Sequence, residues 1–153
     1  MVKHLILLTF FTLLFSVKAD DYGDSAATAS FITVSGASIT GTIDHSDDDD
    51  VFKAELFAGQ GYVVTCYAGS CDPNLYVYGP TGILMGSSFD AFGLSARISF
   101  TATLNGMHYF TAAGNDGSMG TYTMEVKNAN CPVNCGRIYK IIVRVKVISM
   151  QCK

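Results

Sequence analysis

The sequence predicts an all-β protein, a sandwich or barrel of antiparallel strands in one domain. Three observations carry this expectation. Short runs of about five to eight residues rich in Val, Ile, Thr, Tyr and Phe recur along the chain, Gly, Asn, Asp and Pro clusters separate them, and no window holds a helical period. The runs, in order, are FITV (31–34), ASITGTI (37–43), VFKAELF (51–57), YVVTCY (62–67), NLYVY (74–78), GILMG (82–86), ARISFTA (96–102), MHYFTAA (107–113) and TYTMEV (121–126). Two of them alternate as strands with one buried face should. Phe52, Ala54 and Leu56 oppose Lys53 and Glu55, and Tyr122, Met124 and Val126 oppose Thr121, Thr123 and Glu125. The connections AGQGY, YGPTG, LNGMH and GNDGSMG supply the positive or fixed φ that tight turns require.

Ahead of these strands, residues 1–19 read as a secretory signal peptide. Met1-Val2-Lys3-His4 is a short basic start, LILLTFFTLLFSV is apolar but too short to span a bilayer, and Val17-Lys18-Ala19 places small residues at a cleavage site. The mature chain is expected to begin near Asp20, outside the cytosol, with no membrane span. Its body is acidic: from Asp20 to Gly136 stand 13 acidic residues against Lys53, Arg97 and Lys127, a formal −10. Such a surface repels phosphate, which excludes nucleic acid as partner, and attracts cations.

Five cysteines survive cleavage, which suits an oxidising compartment. Spacing favours local bridges between Cys66 and Cys71 and between Cys131 and Cys135, leaving Cys152 over for a covalent dimer. A zinc reading of CPVNC lacks a second cysteine pair at finger spacing and has only two histidines in the mature chain to draw on.

The order DDYGDSAATA, GTIDHSDDDDVFKAELFAGQGY, DPNLYVYGPTG, ISFTATLNGMHYFTAAG and GTYTMEV resembles the bacterial pre-peptidase C-terminal domain family, over about residues 20–127. These are small secreted β-sandwich modules of jelly-roll type appended to proteases and other exported enzymes, related to the collagen-binding domains of clostridial collagenases, so the resemblance implies a jelly-roll-like antiparallel β-sandwich. The resemblance implies an Asp-x-Asp-x-aromatic step, matched by Asp48, Asp50 and Phe52. It also implies a calcium site built from Asp21 and Asp24 on the N-terminal lead with Asp47 and Asp50 at the step. The Asn-Asp-Asp step common in the family is replaced here by SSFDAFG, which retains only Asp90.

Physical chemistry supports a cation independently. Calcium takes six to eight oxygen ligands, and crowded carboxylates repel unless a cation neutralises them. The competing reading of DDDD is a solvated acidic turn screened by water and salt.

No GxSxG, HExxH or P-loop motif occurs, and YGDS (22–25) lies in the lead rather than on a strand-to-helix elbow. His45 and His108 read as surface and packing residues. The aromatics Tyr67, Tyr76, Tyr78, Phe89 and Phe92 fall on strand faces and loop tips, where rings could stack on sugars or pack on an extended polypeptide. The sequence therefore points to a secreted, non-catalytic module that binds an extracellular polysaccharide or protein, or that assists a secreted enzyme. A small secreted hydrolase and a purely structural domain are the alternatives. Residues 128–153 form a basic, cysteine-containing tail. Within it Tyr139, Ile141, Val143, Val145 and Val147 oppose Lys140, Arg144 and Lys146, the pattern of one further, peripheral strand.

Overall fold

The structure is a computed structural model and describes residues 19–89 and 95–129. The leader, Asp90, Phe92, the Cys131–Cys135 pair, Cys152 and the basic tail strand lie outside the described residues. The described residues form nine strands: β1 (Ser30–Phe31), β2 (Ile39–Ile43), β3 (Asp49–Leu56), β4 (Gly61–Ala68), β5 (Pro73–Tyr78), β6 (Leu84–Phe89), β7 (Ser95–Thr101), β8 (Gly106–Gly114) and β9 (Gly120–Asn128). They form a five-stranded sheet in the order β1-β3-β8-β5-β6 and a four-stranded sheet in the order β2-β9-β4-β7. Every pairing is antiparallel except the short β1–β3 contact, which is parallel. Most spatial neighbours are distant in sequence, so the connections cross between sheets, as expected of a jelly-roll-like sandwich.

Each run read from the sequence overlaps a strand, and FITV and GILMG depart most from theirs. FITV overlaps β1 only at Phe31, with the Ile32 N–H still donating to the Lys53 carbonyl at 3.0 Å; Ser35 then takes a positive φ of 57° and the Gly36 N–H closes a turn on the Thr33 carbonyl at 3.1 Å. GILMG begins pairing only at Leu84, because Gly82, at φ 77°, belongs to the preceding turn. The strand then runs on to Phe89 along an edge with little burial.

The core lies between the sheets. Phe52, Leu56, Leu75, Val77 and Phe110 project from one side, and Ile43, Val64, Tyr122, Met124 and Val126 from the other, all essentially solvent-free. Burying each such aliphatic or phenyl side chain stabilises the fold by about 1.5–3 kcal/mol. The alternation expected along β3 and β9 is observed: Phe52, Ala54, Leu56, Tyr122, Met124 and Val126 are all buried. His108 is buried too, packing against Phe100 with its Nδ1 3.0 Å from the Gly106 carbonyl.

The expected Cys66–Cys71 bridge is not formed, and both thiols are free and buried. Cys66 sits in register between Ala96 and Met124 and faces the core, while the Cys71 N–H and Sγ–H both donate to the Thr121 carbonyl at 3.3 Å. Burial pushes both thiols above the ordinary cysteine range. Among the described residues no helix is long and apolar enough to cross a membrane.

Candidate metal centre

The four aspartates of residues 47–50 lead into β3, and the strand period divides them. Asp48 and Asp50 continue inward the row of Phe52, Ala54 and Leu56, whereas Asp47 and Asp49 point to solvent. Asp48 is 1% exposed and Asp50 0%. The turn that delivers them is closed by the Asp48 N–H donating to the His45 carbonyl at 3.2 Å, and by the Asp44 N–H donating to Asp48 Oδ2.

The N-terminal lead lies across this end of the sandwich. The Val51 N–H donates to the Gly23 carbonyl at 3.2 Å, the Tyr22 ring packs 4.7 Å from Phe52, and the Tyr22 hydroxyl donates to the Thr40 carbonyl at 3.3 Å. The lead's aspartates thereby face the buried pair. Carboxylate oxygens of Asp20, Asp24 and Asp48 lie within 4.8 Å of one another, as do those of Asp20, Asp21 and Asp50. Of the four aspartates that the resemblance implied, Asp24 falls in the first group and Asp21 and Asp50 in the second. Asp47 is exposed and belongs to neither group; Asp48 belongs to the first, and Asp20 to both.

Asp50 has one protein partner at the far end of its carboxylate. The Tyr122 hydroxyl donates to Oδ2 at 2.6 Å, in a bond that is itself buried. Gly41, opposite Tyr122 in the β2–β9 register, makes that reach feasible, because a Cβ there would overlap the phenol ring. Burial and the hydrogen bond to Asp50 push the Tyr122 phenol far up, so it remains a donor.

Asp48 Oδ1 and Asp50 Oδ1 are buried without a hydrogen-bond partner. An unpaired carboxylate oxygen in an interior is costly unless the group is protonated or a cation meets it. The ionisation behaviour follows from this. Burial raises Asp50 from 3.8 to about 7, Tyr122 opposes the rise, and Asp21, Asp48 and Asp20 add to it. Asp48 is raised by burial, against the Asp44 N–H and His45 and with Asp20 and Asp24. Asp49 is raised by desolvation, then by Asp24 and Asp48.

Two carboxylates at about 4.8 Å repel by about 3–4 kcal/mol at an effective dielectric of about 20. Oxygens at this mutual spacing suit a shared hard cation, whose calcium–oxygen distances are about 2.3–2.6 Å. The donor set is all oxygen, which fits calcium and does not fit zinc or copper. Period-two alternation, extended back from Phe52, was the sequence signal that singles out Asp48 over Asp47.

The expected aromatic set is divided between the two faces of the sandwich. Tyr67 stands on the outer face of the four-stranded sheet, its hydroxyl donating to Glu125 Oε1 at 2.8 Å. Tyr76 and Tyr78 stand on the outer face of the five-stranded sheet, with Phe89 edge-on to Tyr76 at 5.7 Å. Tyr109, which the sequence reading passed over, is the cross-strand neighbour of Tyr78. Ser25, in the YGDS stretch, contacts the Thr28 hydroxyl at 2.9 Å.

No protein-family model matches the chain, and no curated protein is significantly similar to it in sequence. Solved structures do resemble it. The pre-peptidase C-terminal domain of a Bacillus anthracis collagenase superposes with a TM-score of 0.55 at 19% identity, covering 65% of this chain and 94% of that one. Periplasmic inhibitors of g-type lysozyme from Aeromonas hydrophila and Salmonella Typhimurium, each 16% identical and covering 64% of this chain and 95% of theirs, give TM-scores of 0.49 and 0.44. The chain has the fold of a pre-peptidase C-terminal domain, the fold expected from the order of its sequence segments.

Proposed function

We propose that this protein is a secreted, non-catalytic β-sandwich module whose N-terminal lead is clamped to the sandwich by calcium, and which binds an extracellular polymer or assists a secreted enzyme. One observation carries the clamp: Asp48 and Asp50 are buried, each has an oxygen without a partner, and three carboxylates from the lead converge on them. Secretion rests on the apolar, basic-flanked first 19 residues.

Asp20, Asp24 and Asp48, or Asp20, Asp21 and Asp50, would hold the ion, which supplies positive charge where three carboxylates meet. The Tyr122 hydroxyl orients Asp50, and the Asp44 N–H orients Asp48, before any ion arrives. Such second contacts fix the direction of a ligand's free oxygen. Neutralising the cluster ties a segment that otherwise adheres through few hydrogen bonds and one ring contact. The clamp thus makes the lead part of the domain.

Isothermal titration of the chelator-treated protein with calcium tests the reading, together with thermal unfolding in calcium and in chelator. Binding accompanied by a rise in melting temperature is expected. A protein whose unfolding is the same in millimolar calcium and in chelator would refute the clamp.

A further inference from the structure

Facing away from the core, the five-stranded sheet carries a trough of about 430 Å³, within the range of small-ligand sites. Its floor is aromatic. Tyr76 and Tyr78 on β5 meet Thr111 and Tyr109 on β8 as direct cross-strand neighbours, and all three tyrosines are half-buried, leaving ring surface accessible. One wall is acidic, formed by Asp49 at the start of β3 and Asp24 from the lead. Among the described residues no lysine, arginine or histidine lines the trough. The cation nearest in register is Lys53, opposite Tyr109, and its ammonium lies over the Phe31 ring, 4.8 Å from the centroid.

The chemistry of this lining is one-sided. Carboxylates accept hydrogen bonds and cannot donate, and the faces of phenol rings carry negative charge density. A ligand that satisfies both has a cationic head with several N–H donors on an apolar stem, which is the description of a lysine or arginine side chain. The surrounding body, with its formal −10, draws such a partner in from a distance. We propose that this trough binds lysine or arginine side chains of a basic polypeptide, the head meeting Asp49 and the stem and charge lying over Tyr76, Tyr78 and Tyr109.

This inference rests on the protein being a binding module and gives that module's partner its chemistry. It does not require the clamp to be correct. Asp24 is shared with the proposed calcium group, so with the ion bound Asp49 carries the charge recognition.

The test titrates the full chain, in calcium, with a tetralysine peptide and with the neutral sugar cellohexaose. Tyrosine fluorescence and amide NMR shifts report binding. Tetralysine is expected to bind and to shift β5 and β8 amides. Its Kd should weaken about tenfold on Asp49→Asn and on the double change Tyr76→Ala with Tyr109→Ala, and stay unchanged on Glu125→Gln, which removes an equal charge from the opposite face. Asp49 is exposed and its replacement is isosteric, so its effect is readable even if the tyrosine double variant fails to fold. The proposal is overturned if tetralysine does not bind, if Glu125→Gln weakens it as much as Asp49→Asn, or if cellohexaose binds the trough in its place. Failure of the calcium clamp would appear separately, in unfolding with and without calcium.

Discussion

Two tyrosine–carboxylate pairs stand in this molecule, and they have opposite needs. Tyr122 donates to Asp50 at 2.6 Å inside the sandwich, and Tyr67 donates to Glu125 at 2.8 Å on its surface. The surface pair has a third member, Lys127, whose Nζ lies 2.6 Å from Glu125 Oε2. Desolvation pushes Glu125 upward, yet Lys127 and Tyr67 together hold it below the ordinary range. Among the described residues the buried pair has no lysine or arginine and has carboxylates for neighbours, and Asp50 rises to about 7. A phenol alone does not compensate a buried carboxylate. The surface pair is complete as it stands, whereas the buried one calls for a proton or a metal ion.

The largest effect should come from removing the buried charge itself. Asp50→Asn keeps an oxygen for the Tyr122 hydroxyl and leaves nothing to ionise. Because folding raises the Asp50 pKa above its unfolded value, the wild-type contribution is fully present below about pH 4 and is lost as pH rises through about 7. In chelator at pH 8 the variant should therefore be more stable than wild type, by up to about 4 kcal/mol at about 1.36 kcal/mol per unit of pKa. It should also lose most of its response to calcium. Denaturant unfolding of both proteins at pH 5 and pH 8 checks this, and a variant less stable than wild type in chelator at pH 8 would remove the buried-charge argument.

Calcium itself should act next most strongly. An ion bound only by the folded state adds about 2.7 kcal/mol at a hundredfold excess over Kd. That gain should shrink as pH falls through about 7, where the proton competes for Asp50. Melting curves in calcium and in chelator across that range give the answer, and a calcium shift that grows toward acid would contradict it.

Tyr122→Phe isolates the phenol. It strands Asp50 Oδ2 without a donor, which should destabilise the fold by about 1–3 kcal/mol, more in chelator than in calcium. Thermal unfolding in the two conditions separates the cases. The smallest change is expected from Glu125→Gln on the surface pair, within about 1 kcal/mol and indifferent to calcium. A calcium-dependent effect at Glu125 would show that the two pairs are not independent.

Much of this could be read from the residues. The strands follow from period two and turn chemistry, and Phe52, Ala54 and Leu56 announce their buried face without any partner being known. The expectation of a site at Asp50 and the lead residues Asp21 and Asp24 came from the order of segments. Asp47 and Asp50 lie on opposite faces of an extended chain, and period two groups Asp48 with Asp50 instead.

Other features were not local at all. Cys66 and Cys71 have loop-closing spacing, yet what the Cys71 thiol meets is the Thr121 carbonyl, 50 residues away in sequence. Composition and alternation alone determined that this chain forms strands with one buried face and an acidic body, because burial of alternate side chains depends on neighbours two residues apart. Only the tertiary structure decided which carboxylates share a site, that Tyr122 reaches Asp50 across Gly41, and that Tyr109 joins Tyr76 and Tyr78. Those contacts depend on register between strands distant in sequence, which no local pattern specifies.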